Sequence, residues 1–182
     1  MLLTIAIVVV AAVAALLAFA ATRPGTFTVE RSAMIAAPAE RIYPHLDDFH
    51  RWSAWSPWEK IDPELKRAFS GAASGAGAIY AWEGNKKVGQ GRMEILESDA
   101  PERLRIQLDF IKPFEAHNTT VFTLAPAADA TRLTWTMHGS STFVFKLMGI
   151  FMNMDRMIGA DFERGLANLK TVAETEPVPQ PA

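Results

Sequence analysis

Hydrophobic and polar positions divide the chain into three patterns. From Leu2 to Ala21 (LLTIAIVVVAAVAALLAFAA) no residue is charged and only Thr4 is polar. At about 1.5 Å of rise per residue, a helix of this length spans roughly 30 Å, the thickness of a bilayer core. A membrane-spanning helix over residues 2–21 is therefore predicted. The competing reading is a cleaved signal peptide, because Ala18-Phe19-Ala20 sets small residues in an A-x-A arrangement. Against cleavage, no Lys or Arg precedes the run, and it exceeds the roughly 7–15 residues of a typical signal core. Arg23 and Arg31 follow it, so the positive-inside rule predicts a single-pass protein with a cytoplasmic domain. Cleavage would instead give a periplasmic or secreted one.

Beyond Pro24-Gly25 the pattern alternates. Thr26–Ile35 reads as a strand, and the following Ala-Ala-Pro-Ala-Glu opens a helix with Pro38 in its first turn. Pro44 then divides the helical spacing of Ile42, Tyr43, Leu46 and Phe49 into two short pieces. Strands are predicted near Leu65–Phe69, Ala78–Glu83, Val88–Glu97, Arg103–Phe110, Glu115–Leu124 and Arg132–His138. In the fourth of these, Leu104, Ile106, Leu108 and Phe110 share one face while Arg103, Arg105, Gln107 and Asp109 share the other. The same parity puts Tyr80, Trp82, Met93, Ile95, Phe122, Leu124, Leu133, Trp135 and Met137 on the dry face, together with Asn118 and Thr120.

The third pattern, Phe143 to about Val172, is helical, with Ile158, Phe162, Leu166, Leu169 and Val172 on one stripe. Gly159 and Gly165 each lower helix propensity by about 1 kcal/mol relative to Ala, which implies close packing or space left for something else. The fold expected is α+β: a curved antiparallel sheet wrapped around a long C-terminal helix. Residues 1–24 form the anchor or signal segment, 25–175 the domain, and 176–182 (EPVPQPA) a disordered, extended tail.

With 49% hydrophobic and 21% charged residues the chain has enough apolar matter for a packed core. Its net charge of −2 and pI near 6.1 exclude the basic footprint of a nucleic-acid partner. Having no cysteine, it has no disulfide, thiolate metal site or cysteine nucleophile.

Candidate chemistry is sparse. His45, His50, His117 and His138 show neither H-x-x-x-H nor H-E-x-x-H spacing, so no metal site is expected, and no cofactor either. Gly75-Ala-Gly77 and Gly89-Gln-Gly91 lack the helix and the Lys that would grip a phosphate. Glu83 and Arg92, on neighbouring strands, pair weakly or act as acid and base. Trp52, Trp55 and Trp58, spaced by three, either line a cavity mouth or plug one end of the core. Asn118 and Thr120 sit where an unpartnered polar group costs roughly 1–3 kcal/mol, so water, backbone or ligand must satisfy them. They also form a glycosylation sequon with Thr119, whose inward-facing mid-strand place argues against modification. Phe143–Met154 (FVFKLMGIFMNM) holds one charge and is too short to span a bilayer. It is either a methionine-rich lid or membrane-surface contact, or a lead-in packed on the sheet.

The segments PHLDDFHRWSAWSPWEKIDP, GAIYAWEGNKKVGQGRM, DFIKPFEAHNTTVFTL and MNMDRMIGADFERGLANLK, in this order, resemble bacterial members of the START-like helix-grip superfamily. The branch is the polyketide cyclase/dehydrase-like one, and the resemblance covers about residues 26–174. It implies a helix-grip fold with an apolar cavity between sheet and long helix, but no transferable catalytic motif. The cavity is then expected to be lined by Tyr80, Trp82, Met93, Ile95, Ile106, Leu108, Phe110, Asn118, Thr120, Phe122, Trp135, Met137, Phe162 and Leu166. The expected function is binding of a hydrophobic or lipid-like small molecule by a membrane-tethered domain, without chemistry. The alternatives are a cyclase-type enzyme on an aromatic or polyketide substrate and a protein-interaction adaptor.

Overall fold

The computed structural model describes residues 1–175, and the predicted tail lies outside the described residues. Helix α1 (Leu2–Thr22) leaves every side chain but Ala20 at least partly exposed. It is long and apolar enough to cross a membrane. Strand β1 (Thr26–Ile35) follows, then α2 (Ala39–Ile42) and α3 (Pro44–Asp47). Pro38 directly precedes α2 rather than lying in its first turn. Pro44 opens α3, because it has no N–H to continue the preceding helix. Two 3₁₀ segments, Phe49–Ala54 and Pro57–Lys60, carry Trp52 and Trp58 and bracket Trp55.

Six strands then form a meander: β2 (Lys66–Gly71), β3 (Ala78–Glu83), β4 (Gln90–Asp99), β5 (Arg103–Lys112), β6 (Ala116–Ala127) and β7 (Ala130–Ser140). Leu65 and Val88, expected to begin strands, lie just outside them. The seven strands make one antiparallel sheet in the order β1-β7-β6-β5-β4-β3-β2, and β2 is exposed along its whole length at one edge. The predicted C-terminal helix is two helices, α4 (Phe143–Phe151) and α5 (Met154–Thr175). The chain is extended at Met152 between them, and Asn153 Oδ1 accepts from the Arg156 amide at the start of the second.

Helix α5 lies on the inner face of the sheet and packs most closely on β1. Leu104, Ile106, Ile95, Phe122 and Leu133 from the sheet close against Ile42 and Leu46 from the short helices, Trp55 between the 3₁₀ segments, and Leu166 and Leu169 from α5. Arg31 shares the inward parity of Val29. Its guanidinium reaches over Gly159 to Glu163 (Nε to Oε1, 2.8 Å) and Asp155 (Nη2 to Oδ2, 3.1 Å). A Cβ on Gly159 would collide with the Arg31 guanidinium, and one on Gly165 would stand 2.9 Å from the Trp135 ring. Both glycines are therefore explained by close packing, and neither opens an internal space of its own.

Candidate functional site: a cavity between sheet and helix

Parity alone delivers the inner face, yet that face has two regions. Toward the start of β5 it is packed solid against α2, α3 and α5. Toward the end of β5 it encloses a cavity of about 320 Å³. Leu108 and Phe110 of β5, Met93 of β4, Tyr80 and Trp82 of β3, Asn118 and Thr120 of β6, and Trp135 and Met137 of β7 line it. Phe162, Ile158, Met157 and Asp161 of α5 close it from the helix side, and Phe145 of α4 completes one wall. Ile95, Ile106, Phe122 and Leu166, expected on the cavity, are instead almost completely buried in the adjacent core. They have the right face but the wrong position along their elements.

The three tryptophans also separate. Trp52 and Trp55 are buried, and their Nε1 atoms donate to Leu46 O (3.0 Å) and His45 O (2.9 Å). Trp55 is thus a core residue rather than a mouth residue. Trp52 reaches the cavity from within the core, while Trp58 is half-buried against it and meets Trp135 and Phe162 edge-on.

The polar groups on the walls are few. Glu59 is the principal one, with a side chain only 7% exposed. Its Oε1 accepts from the Tyr80 hydroxyl at 2.6 Å, and its Oε2 accepts from Arg67 Nε at 2.6 Å. Burial first, and then the bond to Glu59, push the Tyr80 phenol well above its ordinary range, so Tyr80 is a permanent donor. Asp161 faces Arg164 of its own helix. Asn118 and Thr120 are inward and 5% and 4% exposed, in line with their dry-face parity. Asn118 Oδ1 and Trp135 Nε1 are buried without a partner. The Asn118 oxygen lies over Gly139, the residue opposite it on β7, where a Cβ would collide with it.

Sequence reasoning missed Glu59, Ser56, Leu65, Val88, Phe145, Met157, Ile158 and Asp161 as lining residues. Glu59, Ser56, Leu65 and Val88 sit in loops or a 3₁₀ turn where no periodicity marks an inward side, whereas the other four lie on α4 and α5, whose period does not show where along the helix the cavity opens. Glu83 and Arg92, considered as a facing pair, do not meet. Glu83 is opposite Gln90 and 3.9 Å from Lys66 Nζ, whereas Arg92 is opposite Ala81 and bonds Glu94 at 2.6 Å.

Among the described residues no three His, Asp or Glu side chains converge as a metal cluster would. His117 lies on the outer face with its Nδ1 2.8 Å from Asp109 Oδ1. That hydrogen bond raises the pKa of His117. Burial pushes Asp109 upward, but the bonds from His117 and Gln107 outweigh it and hold the carboxylate below its usual range. The stabilisation from His117 is full below the ordinary histidine pKa and is lost as pH rises through the folded value. Titration of the His117 ring by NMR is expected to give a midpoint above that of an ordinary histidine, moving back down in Asp109→Asn. A midpoint indifferent to that substitution would show the pair to be a contact without electrostatic weight.

Solved structures share this architecture. The protein MLL2253 from Mesorhizobium loti aligns over 84% of this chain and 100% of its own, with TM-score 0.62 and 16% identity. A protein from Thermobifida fusca aligns over 80% of this chain and 92% of its own, with TM-score 0.61 and 20% identity. The di-domain ARO/CYC BexL from the BE-7585A biosynthetic pathway aligns over 87% of this chain and 53% of its own, with TM-score 0.62 and 12% identity. At such identities the likeness establishes the helix-grip fold alone. No curated protein matches the chain significantly. A family model, described as polyketide cyclase / dehydrase and lipid transport, matches residues 26–174, and the chain belongs to that family.

Proposed function

We propose that the chain is a membrane-tethered binding protein that holds one hydrophobic or amphipathic small molecule between its sheet and α5. The cavity carries this reading. Its walls are mostly aliphatic and aromatic, and its 320 Å³ is at the small end of the roughly 300–1,000 Å³ range of ligand sites. At ~30 Å³ per water this is the volume of about ten waters, which suits a ring system or a single short chain rather than a two-chain lipid. The strongest wall polar groups are already committed to each other, since Tyr80 donates to Glu59 and Glu59 is held by Arg67. α1 serves as the tether. Arg23 and Arg31 follow it, which favours a cytoplasmic domain.

A second reading is a cyclase-type enzyme. It is favoured by the buried Glu59 carboxylate on the cavity wall and by the likeness to ARO/CYC proteins. Native mass spectrometry of the full chain, released from detergent, is expected to show a co-purified small molecule. Glu59→Gln keeps an acceptor for Tyr80 and should leave affinity for a hydrophobic dye within about threefold, a change of under ~1 kcal/mol. Turnover of an aromatic or polyketide-like substrate that disappears in Glu59→Gln, with dye binding intact, would establish the enzyme instead.

A further inference from the structure

Helix α4 (FVFKLMGIF) has a single charge, Lys146, and no buried residue. A helix apolar on every side needs an apolar surrounding. The protein supplies part of it: Phe145 stacks on Phe27 with ring centroids 5.0 Å apart, and Arg23, just beyond α1, donates to Gly149 O at 3.4 Å. Phe143, Val144, Met148, Phe151 and Met152 remain exposed, Phe151 by 72%.

A second apolar group projects from the same end of the sheet. Thr26 is opposite Ser140, Gly139 is opposite Asn118, and Ala116 is opposite Phe110, so the β5–β6 turn shares the end at which β1 begins and β7 finishes. The end of β5 and that turn expose Ile111 and Phe114, the latter by 66%. At ~4.8 Å per strand it lies about 10–15 Å from β1. Thr22 ends α1 only four residues before Thr26, a reach of at most ~14 Å. Two elements distant in sequence thus expose large apolar side chains beside the exit of an apolar, membrane-length helix, and isolated surface hydrophobics do not gather in this way. The cavity wall residues Phe110, Asn118, Met137 and Phe145 stand at this same end.

We propose that α4 and the β5–β6 turn form a collar that lies in the headgroup and upper acyl layer of the bilayer, setting the cavity end of the domain against lipid. The proposal rests on the reading of α1 as the tether. The partner is the lipid surface itself, and the depth is that of an interfacial helix rather than a second span.

The absence of cysteine makes the test direct. Full-length Phe114→Cys, Phe151→Cys, Val9→Cys and Asp129→Cys are each labelled with an environment-sensitive fluorophore and reconstituted into phosphatidylcholine–phosphatidylglycerol vesicles. All four positions are exposed, so the fold is not at stake. The labels at 114 and 151 are expected to shift to the blue and to lose most of their emission to a quencher carried on the acyl chains. The label at 129, on the β6–β7 turn at the far end of the sheet, should behave as in water. Quenching at 9 without quenching at 114 and 151 would overturn the collar while leaving the tether standing. A label at 9 that is not quenched would overturn the tether, and the labels at 114 and 151 would then decide the collar by themselves.

Discussion

Trp135→Ala is expected to lower the stability of the domain by about 3–5 kcal/mol, a large part of the ~5–15 kcal/mol that holds a typical domain together. The ring of Trp135 stacks on Phe162 with centroids 4.1 Å apart and is tilted against Phe122 at 4.9 Å. It meets Trp55 and Trp58 edge-on at 5.7 and 5.8 Å. It is the contact through which sheet, 3₁₀ segments and α5 share one aromatic cluster. Trp135→Phe should be far milder, about 1–2 kcal/mol, because the indole N–H has no partner to lose and only volume is removed. Thermal unfolding of the full chain in mild detergent, followed by near-ultraviolet circular dichroism, measures both. An alanine variant within about 1 kcal/mol of the wild type would show that the cluster repacks, and would remove Trp135 from its central place.

Leu108→Trp is expected to weaken binding of a hydrophobic dye more than tenfold, a loss exceeding about 1.4 kcal/mol, with little change in thermal stability. Leu108 is half-buried and lines the cavity between Met93 and Asn118, its neighbours across β4 and β6. An indole there grows into a void. Ile106→Trp, two residues back on the same face, grows into a packed wall instead and should cost about 1–3 kcal/mol or more of stability. Dye titration and thermal melts on the two variants separate binding from folding. Undiminished dye affinity in Leu108→Trp would mean that the ligand sits elsewhere.

That contrast also marks what the sequence could and could not reveal. Period-two alternation identified the inner faces of β3 to β7, because one side of each strand must be dry. The same signal cannot tell core from cavity. Ile106 and Leu108 have equal parity and side chains of similar size, yet the first is fully buried and the second half-buried. Only their places along β5 separate them, Ile106 in the packed core and Leu108 on the void, and tertiary packing decides where one gives way to the other. The Glu59–Tyr80 bond was out of reach for a different reason. It joins residues 21 apart through a 3₁₀ turn that has no amphipathic period of its own. Arg31 carries a charge at an inward position of β1, which patterning alone treats as an inconsistency. Only the arrival of Asp155 and Glu163 from the far end of the chain makes it consistent. Asn118 and Thr120, by contrast, were legible as inward polar residues because their parity was unambiguous.

The edge strand β2 has a consequence of its own. All six of its residues are exposed, and among the described residues nothing pairs with its outer side, so its free N–H and C=O groups offer a template for another strand. Lys66 and Arg67 open that strand, and Arg67 is fixed in place by Glu59. Two copies meeting edge to edge in parallel register would bring Lys66 beside Lys66 and Arg67 beside Arg67, whereas antiparallel pairing over the six residues sets them against Gly71 and Ser70. The same arginine that holds the cavity's carboxylate thus disfavours one of the two ways in which neighbouring copies could join.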